Sequence, residues 1–149
     1  MIYLGADHGG YKFKEKIKKL LDSMNVKYKD LGNKKLDPSD DFPDYATEVA
    51  KKVVETGERG ILICTTGIGM CLAANKTKGA RAVTATSKKI ARQSREHLNS
   101  NILCLGANTI SFKNAKKIIK EWLNAEFLNA KEKYTRRLKK IEKIENQWK

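Results

Sequence analysis

The sequence predicts an α/β fold, a parallel sheet of five strands with helices on both faces. Three observations predict it. Short apolar runs alternate five times with segments of helical periodicity, the order of successive βα units. The third run, Gly60-Ile61-Leu62-Ile63-Cys64, is apolar throughout, as in strands covered on both faces. The 149 residues suit one domain, residues 1–149, whose core needs neither a disulfide nor a metal.

The elements follow in order. Ile2-Tyr3-Leu4-Gly5-Ala6 reads as the first strand. Phe13, Ile17, Leu20, Leu21 and Met24 recur at helical spacing, with Lys12, Lys14, Lys16, Lys18 and Lys19 between them. Lys27 to Leu31 is a weaker extended stretch ending at Gly32. Residues 33–41, with Pro38 and three aspartates, read as a loop. Pro43 suits the first turn of a helix that continues through Ala46, Val49, Ala50, Val53 and Val54 and stops at Gly57. After the third strand come Thr65-Thr66-Gly67-Ile68-Gly69 and a small-residue helix through Cys71, Ala73 and Ala74. Ala80 to Thr84 is the fourth strand, Ser87 to His97 a helix, Asn101 to Leu105 the fifth strand. Ala115, Ile118, Ile119, Trp122 and Leu123 mark a further helix. From about residue 129 the chain becomes a basic amphipathic helix. Residues 131–149 carry eight Lys/Arg against three Glu, with an apolar stripe of Tyr134, Leu138, Ile141, Ile144 and Trp148. That stripe fits packing on a neighbouring subunit or on its own domain.

The net charge is +14, 31 basic residues against 17 acidic ones, which points to an anionic partner without specifying it. A basic nucleic-acid-binding protein is one reading of this charge. Against it, aromatics are only 7% and are not interleaved with the basic residues in a known motif. No apolar run is long enough to span a membrane. The amino-terminal residues lack the layout of a signal peptide, and three cysteines without CxxC spacing fit a reducing compartment, so a cytoplasmic location is expected.

Ligands of open parallel sheets bind beyond the carboxyl ends of the strands. Asp7-His8-Gly9-Gly10 and Cys64 to Gly69 follow strands there, and His97 and Asn99 precede the fifth strand. The only two histidines, His8 and His97, are therefore both expected beside one pocket. The glycines of the Thr65–Gly69 segment fit a tight turn or a cradle of N–H groups for an anion, either a phosphate or an enediolate. The segment lacks the Lys and the length of a Walker motif and the spacing of a dinucleotide fingerprint. Cys64 stands at its mouth, where the following helix terminus favours a thiolate able to act as nucleophile or general base. Cys71 and Cys104 read as small core residues. No metal site is expected, because no Cys or His pair has ligand spacing. Lys133 and Arg137 share one helix face, either as a phosphate grip or as part of a solvated basic surface.

At these residues the sequence resembles the type B ribose-5-phosphate isomerases and the related galactose-6-phosphate isomerase subunits. The resemblance runs from Ile2 to about Glu145. Its anchors are Gly5-Ala6-Asp7-His8-Gly9-Gly10-Tyr11, Asp44-Tyr45-Ala46, Ile61 to Met70, Ala73-Ala74-Asn75-Lys76, Gly79-Ala80-Arg81-Ala82 and Ser94-Arg95-Glu96-His97. It implies a Rossmann-like three-layer α/β/α sandwich and a carboxyl-terminal helix that extends to a partner subunit. It also implies a homodimer with shared active sites, the pairing of dimers into tetramers staying open, and no metal or organic cofactor. The implied reaction interconverts ribose 5-phosphate and ribulose 5-phosphate through an enediolate. In it Cys64 is the general base and Thr66, with the N–H groups of Thr65, Thr66, Gly67, Ile68 and Gly69, the oxyanion hole. His97 opens the furanose ring, Asp7 handles hydroxyl protons, and His8, Lys133 and Arg137 bind phosphate.

Four positions depart from the family pattern. Thr65 replaces a usual Gly, Leu98 a common Asn, Asn108 a common Arg, and Lys133 an Arg. Leu98 followed by Asn99 looks more like the galactose-6-phosphate branch, whereas His97 favours the ribose branch. Leu98, Asn99 and Asn108 are accordingly substrate-contact candidates. A hexose-6-phosphate isomerase, for galactose 6-phosphate or allose 6-phosphate, is the alternative enzyme reading.

Overall fold

In the computed structural model, which describes residues 1–147, the five strands form one parallel sheet. The strands are β1 (Ile2–Ala6), β2 (Tyr28–Asp30), β3 (Arg59–Cys64), β4 (Ala82–Thr84) and β5 (Ile102–Gly106). The helices are α1 (Tyr11–Ser23), α2 (Phe42–Thr56), α3 (Ile68–Ala74), α4 (Lys88–Leu98), α5 (Phe112–Asn124) and α6 (Glu132–Glu145). The strand order is β2-β1-β3-β5-β4.

Alternate residues of each strand face opposite layers. Leu4, Ile61, Ile63, Leu103 and Leu105 pack with Ile17 and Leu21 of α1, Ala91 of α4, and Ile118, Ile119 and Trp122 of α5. Tyr3, Leu62, Cys64 and Cys104 pack with Ala46, Val49 and Val53 of α2 and with Met70 and Ala74 of α3. The expected three-layer sandwich is therefore present, and β1, β3 and β5, buried throughout except for the half-exposed Arg59, are its centre.

Two boundaries are shorter than the sequence pattern suggests. Ala80 N–H closes a turn onto Thr77 O, and Arg81 N–H donates to the Asn101 side chain, so the β4 ladder starts only at Ala82. The stretch after α1 pairs with β1 over three residues, Tyr28 to Asp30.

Lys14 departs from its place in a lysine-rich face. Its side chain is fully buried, and its Nζ donates to both Asp30 carboxylate oxygens at 2.9 Å and to Asn33 O at 2.6 Å. Burial lowers the Lys14 pKa, and Asp30 opposes that. Burial would raise the Asp30 pKa, but Lys14 outweighs it and holds the carboxyl low. The ion pair pins the end of β2 and the start of the 33–41 loop to α1.

The tail helix forms as expected, but buries none of its side chains. Ile141 and Ile144 of its apolar stripe are exposed, and Trp148 lies outside the described residues. No described helix is long and apolar enough to cross a membrane.

Candidate active site

The sheet order reverses between β1 and β3, and the loops after these strands meet at their carboxyl ends. Cys64 ends β3, buried, with its Sγ accepting the Gly67 N–H at 3.1 Å. The turn that makes this possible needs a glycine: Gly67 has φ +78°, and a Cβ there would stand 2.9 Å from the Leu105 carbonyl carbon. The turn is clamped from two strands. Ala107 N–H donates to Cys64 O and Asn108 N–H to Thr65 O, both at 2.9 Å, while the Thr84 hydroxyl donates to Gly67 O at 3.1 Å. Thr65, Thr66 and Ile68 are exposed at its rim, and Thr66 Oγ1 accepts the Ile68 N–H at 3.3 Å. Two of the five N–H groups expected to cradle an anion, those of Gly67 and Ile68, thus also hold Cys64 and Thr66 in place. Gly69, in the first turn of α3, lies against the Phe42 ring.

Asp7 is buried beside this turn and accepts the Gly10 N–H through Oδ1 at 3.1 Å. Burial raises its pKa above the ordinary carboxylate value, against the pull of Gly10 N–H and His8. A carboxyl so placed exchanges protons more readily near neutrality. Gly9 lets the two loops touch, since a Cβ there would overlap Thr65 Oγ1 and lie 3.4 Å from Asp7 Oδ1. His8 is exposed, and its ring Nδ1 stands 2.7 Å from Asp40 Oδ1. Asp7, His8 and Asp40 bring their ligand atoms within 4.8 Å of one another. Asp40 spends Oδ1 on His8 and Oδ2 on Asn33, so His8 and Asp40 form a hydrogen-bonded pair with Asp7 beside it. Nothing in the sequence singles out Asp40. It sits in a loop among three aspartates, and only its spatial return to His8, 32 residues earlier, distinguishes it.

His97 does not join this group. Helix α4 runs back from the carboxyl end of β4, and His97 lies in its last turn. The cap residue Asn99 reaches the amino-terminal end of the sheet, where its carbonyl accepts from Arg81 Nε at 2.9 Å. Within a single chain the two histidines therefore do not flank the same pocket. A residue between a helix and the next parallel strand belongs to the amino-terminal edge, a rule that the sequence order already contained.

Around His97 the structure assembles a second group. Its ring stacks on Tyr134 of α6, with centroids 4.3 Å apart and planes at 16°. His97, Leu98, Tyr134 and Arg137 line an open cavity of about 300 Å³ together with Val83, Ile90, Gln93 and Ser94. Lys133 places its Nζ 5.0 Å from the Tyr134 ring centroid. Arg136, between them in sequence, pairs instead with Glu132 at 2.6 Å. Asn99 is engaged elsewhere, its Oδ1 accepting from Arg95 Nη1 at 3.0 Å. The structure thus collects Asp7, His8, Cys64, Thr65, Thr66, Gly67, Ile68, Gly69 and Asn108 in one group, and His97, Leu98, Lys133 and Arg137 in another.

Cys71 and Cys104 fall in the α2–α3 layer. Cys104 is fully buried, which pushes its thiol pKa up, and Cys71 is half-buried with its thiol on Ala82 O at 3.3 Å.

Comparison with known proteins supplies the wider frame. The profile of the Ribose/Galactose Isomerase family matches residues 2–141. A putative sugar phosphate isomerase of Bacillus subtilis is 45% identical over 128 residues, 85% of each chain. The solved structure of ribose-5-phosphate isomerase B from Clostridium thermocellum superposes with a TM-score of 0.93 at 40% identity, covering 99% of both chains. That of ribose-5-phosphate isomerase B from Mycoplasma genitalium, described with bound ribulose 5-phosphate, superposes with a TM-score of 0.92 at 38% identity. It covers 97% of this chain and 95% of its own.

Proposed function

The chain belongs to the ribose/galactose isomerase family, and from that premise we propose that it interconverts ribose 5-phosphate and ribulose 5-phosphate. The observation that carries this reading is the fold-wide match to an isomerase described with its ketose bound, joined to the Cys64 turn at the switch point of the sheet. Cys64 takes the proton from C2 of the open-chain aldose, giving an enediolate, and returns it to C1 to give the ketose. Thr66 and the turn's N–H groups face the developing oxyanion. Asp7, whose pKa burial raises, moves the proton between the two hydroxyl oxygens. His97 opens the furanose ring, and His8, Lys133 and Arg137 hold the phosphate.

The separation of His97 from Cys64 supports a site shared between two copies of the chain. Three features favour this. The His97 cavity lies open beside the edge strand and α6. Helix α6 buries no side chain in its own chain. Ile68 and Leu72 of α3, next to the Cys64 turn, are 66% and 62% exposed, an apolar surface that a second copy would cover. We also place the enzyme in the cytoplasm, where its three free thiols fit the reducing conditions.

The test is ketose formation from ribose 5-phosphate, followed by ultraviolet absorbance, with Cys64→Ala as control. Galactose 6-phosphate and allose 6-phosphate run alongside. Turnover of ribose 5-phosphate that is lost in the variant supports both substrate and base. Turnover of a hexose phosphate alone would overturn the pentose reading and turn attention to Leu98 and Asn108.

A further inference from the structure

We propose that Asp40 is a positioning residue for the phosphate end of the substrate, fixing His8 through its Nδ1 and leaving Nε2 as the donor to the phosphate. The proposal rests on the reading of His8 as a phosphate contact.

Three observations carry it. Asp40 Oδ1 receives both the backbone N–H of His8, at 2.8 Å, and its ring Nδ1, at 2.7 Å. One carboxylate oxygen thereby fixes the backbone and the ring together, and a ring committed at Nδ1 has only Nε2 left for a ligand. Asp40 is itself held. Asn33 Nδ2 donates to Oδ2 at 3.1 Å. Asn33 is 5% exposed and leaves its own Oδ1 buried without a partner. A buried amide that forgoes one hydrogen bond is oriented by a stronger demand, which here is Asp40. The loop is anchored too, because the buried Lys14 that binds Asp30 also grips Asn33 O at 2.6 Å. The carboxylate opposite His8 is thus placed by a buried ion pair.

The consequence is electrostatic. The charged groups facing His8 are Asp40, Asp7 and Asp37, all acidic; Lys35 acts on Asp37. The Asp40 hydrogen bond raises the His8 pKa above its usual value, with Asp7 adding to it. The imidazolium therefore survives to higher pH, and its Nε2–H is a charged donor to a phosphate dianion. Neutral His8, with its one proton held at Nδ1 by Asp40, would turn a lone pair toward the phosphate instead. Without Asp40 the cation is lost at lower pH, so phosphate binding weakens on the alkaline side and holds on the acidic side.

The chain has two histidines, so His97→Gln leaves His8 as its single imidazole. Titrating that imidazole by NMR, with and without D40N, reads the coupling directly. The midpoint should fall by about one pH unit, a tenfold change in proton affinity. With His97 intact, D40N should raise KM for ribose 5-phosphate about 3- to 10-fold at pH 8 and less than about twofold at pH 6, with kcat changed little. In a His8→Gln background D40N should move KM no further. Asp40→Ser, which keeps a small acceptor for the His8 N–H, repeats the series if D40N does not fold. An unmoved midpoint overturns the Asp40–His8 coupling. So does a KM rise that is equal at both pH values or that persists without His8. A moved midpoint with an unmoved KM overturns instead the reading of His8 as the phosphate contact, and the proposal with it.

Discussion

The two groups of candidate residues are built in opposite ways. Cys64 and Asp7 are buried, at the ends of two of the three central strands, and their loops are clamped from β4, β5 and α1. His97, Lys133 and Arg137 lie on the outer surface of α4 and α6, joined by one ring stack. The difference suits the two tasks. A base that moves a proton between adjacent carbons needs its position fixed within a fraction of an ångström. Groups that grip a phosphate or open a ring tolerate more freedom, and under the proposed reading would gain their burial from a second copy. In the proposed shared site, a rigid half on one chain and an open half on another would complete each other.

That comparison can be broken from either side. The largest effect is expected in the rigid half: Cys64→Ala should lower kcat by about 10³-fold, within the range of a lost general base, with KM near its original value in steady-state assays. Lys14→Met probes the anchoring rather than the chemistry. It removes the lysine from the half-buried Asp30, which keeps the Gly32 N–H and Lys18, and from the Asn33 carbonyl, and should cost about 1–3 kcal/mol, read as a lower midpoint in denaturant unfolding. Because Asp30 is held low in the folded state, the stability that its ionisation contributes is present above its unfolded pKa and lost as pH falls through the folded one. An acid-unfolding profile should lose that component in Lys14→Met.

In the open half the effects are smaller and selective. His97→Gln should slow the reaction of the cyclic sugar by about 10²-fold and leave an open-chain analogue nearly unaffected. Equal losses on both would remove His97 from ring opening. Lys133→Ala with Arg137→Ala should raise KM by about tenfold and change kcat less, and an unchanged KM would take both residues out of the phosphate site.

The strands were legible because runs such as Ile61-Leu62-Ile63 have few alternatives to burial on both faces. The Cys64 turn was legible because a glycine between a buried strand and a helix start restricts the backbone there. Lys14 was not, since a lysine between helical apolar positions reads as solvated, and its partner Asp30 lies 16 residues away. Asp40 stayed hidden for the same reason, its importance resting on a contact across 32 residues. His97 was assigned a neighbourhood from its proximity to the fifth strand in sequence. Which end of that strand it approaches follows from chain direction, and that direction sends it away from Cys64.

The measurement that addresses the central claim most directly is subunit complementation between Cys64→Ala and His97→Gln. Each variant alone carries one damaged half in every site. Mixed and allowed to exchange, dimers with shared sites form hybrids in which one site carries both defects and the other neither. About one quarter of the original activity should then return at equal mixing, since half of the dimers are hybrids and half of their sites intact. Hybrid dimers seen by mass spectrometry with no recovered activity would contradict a site assembled from two chains.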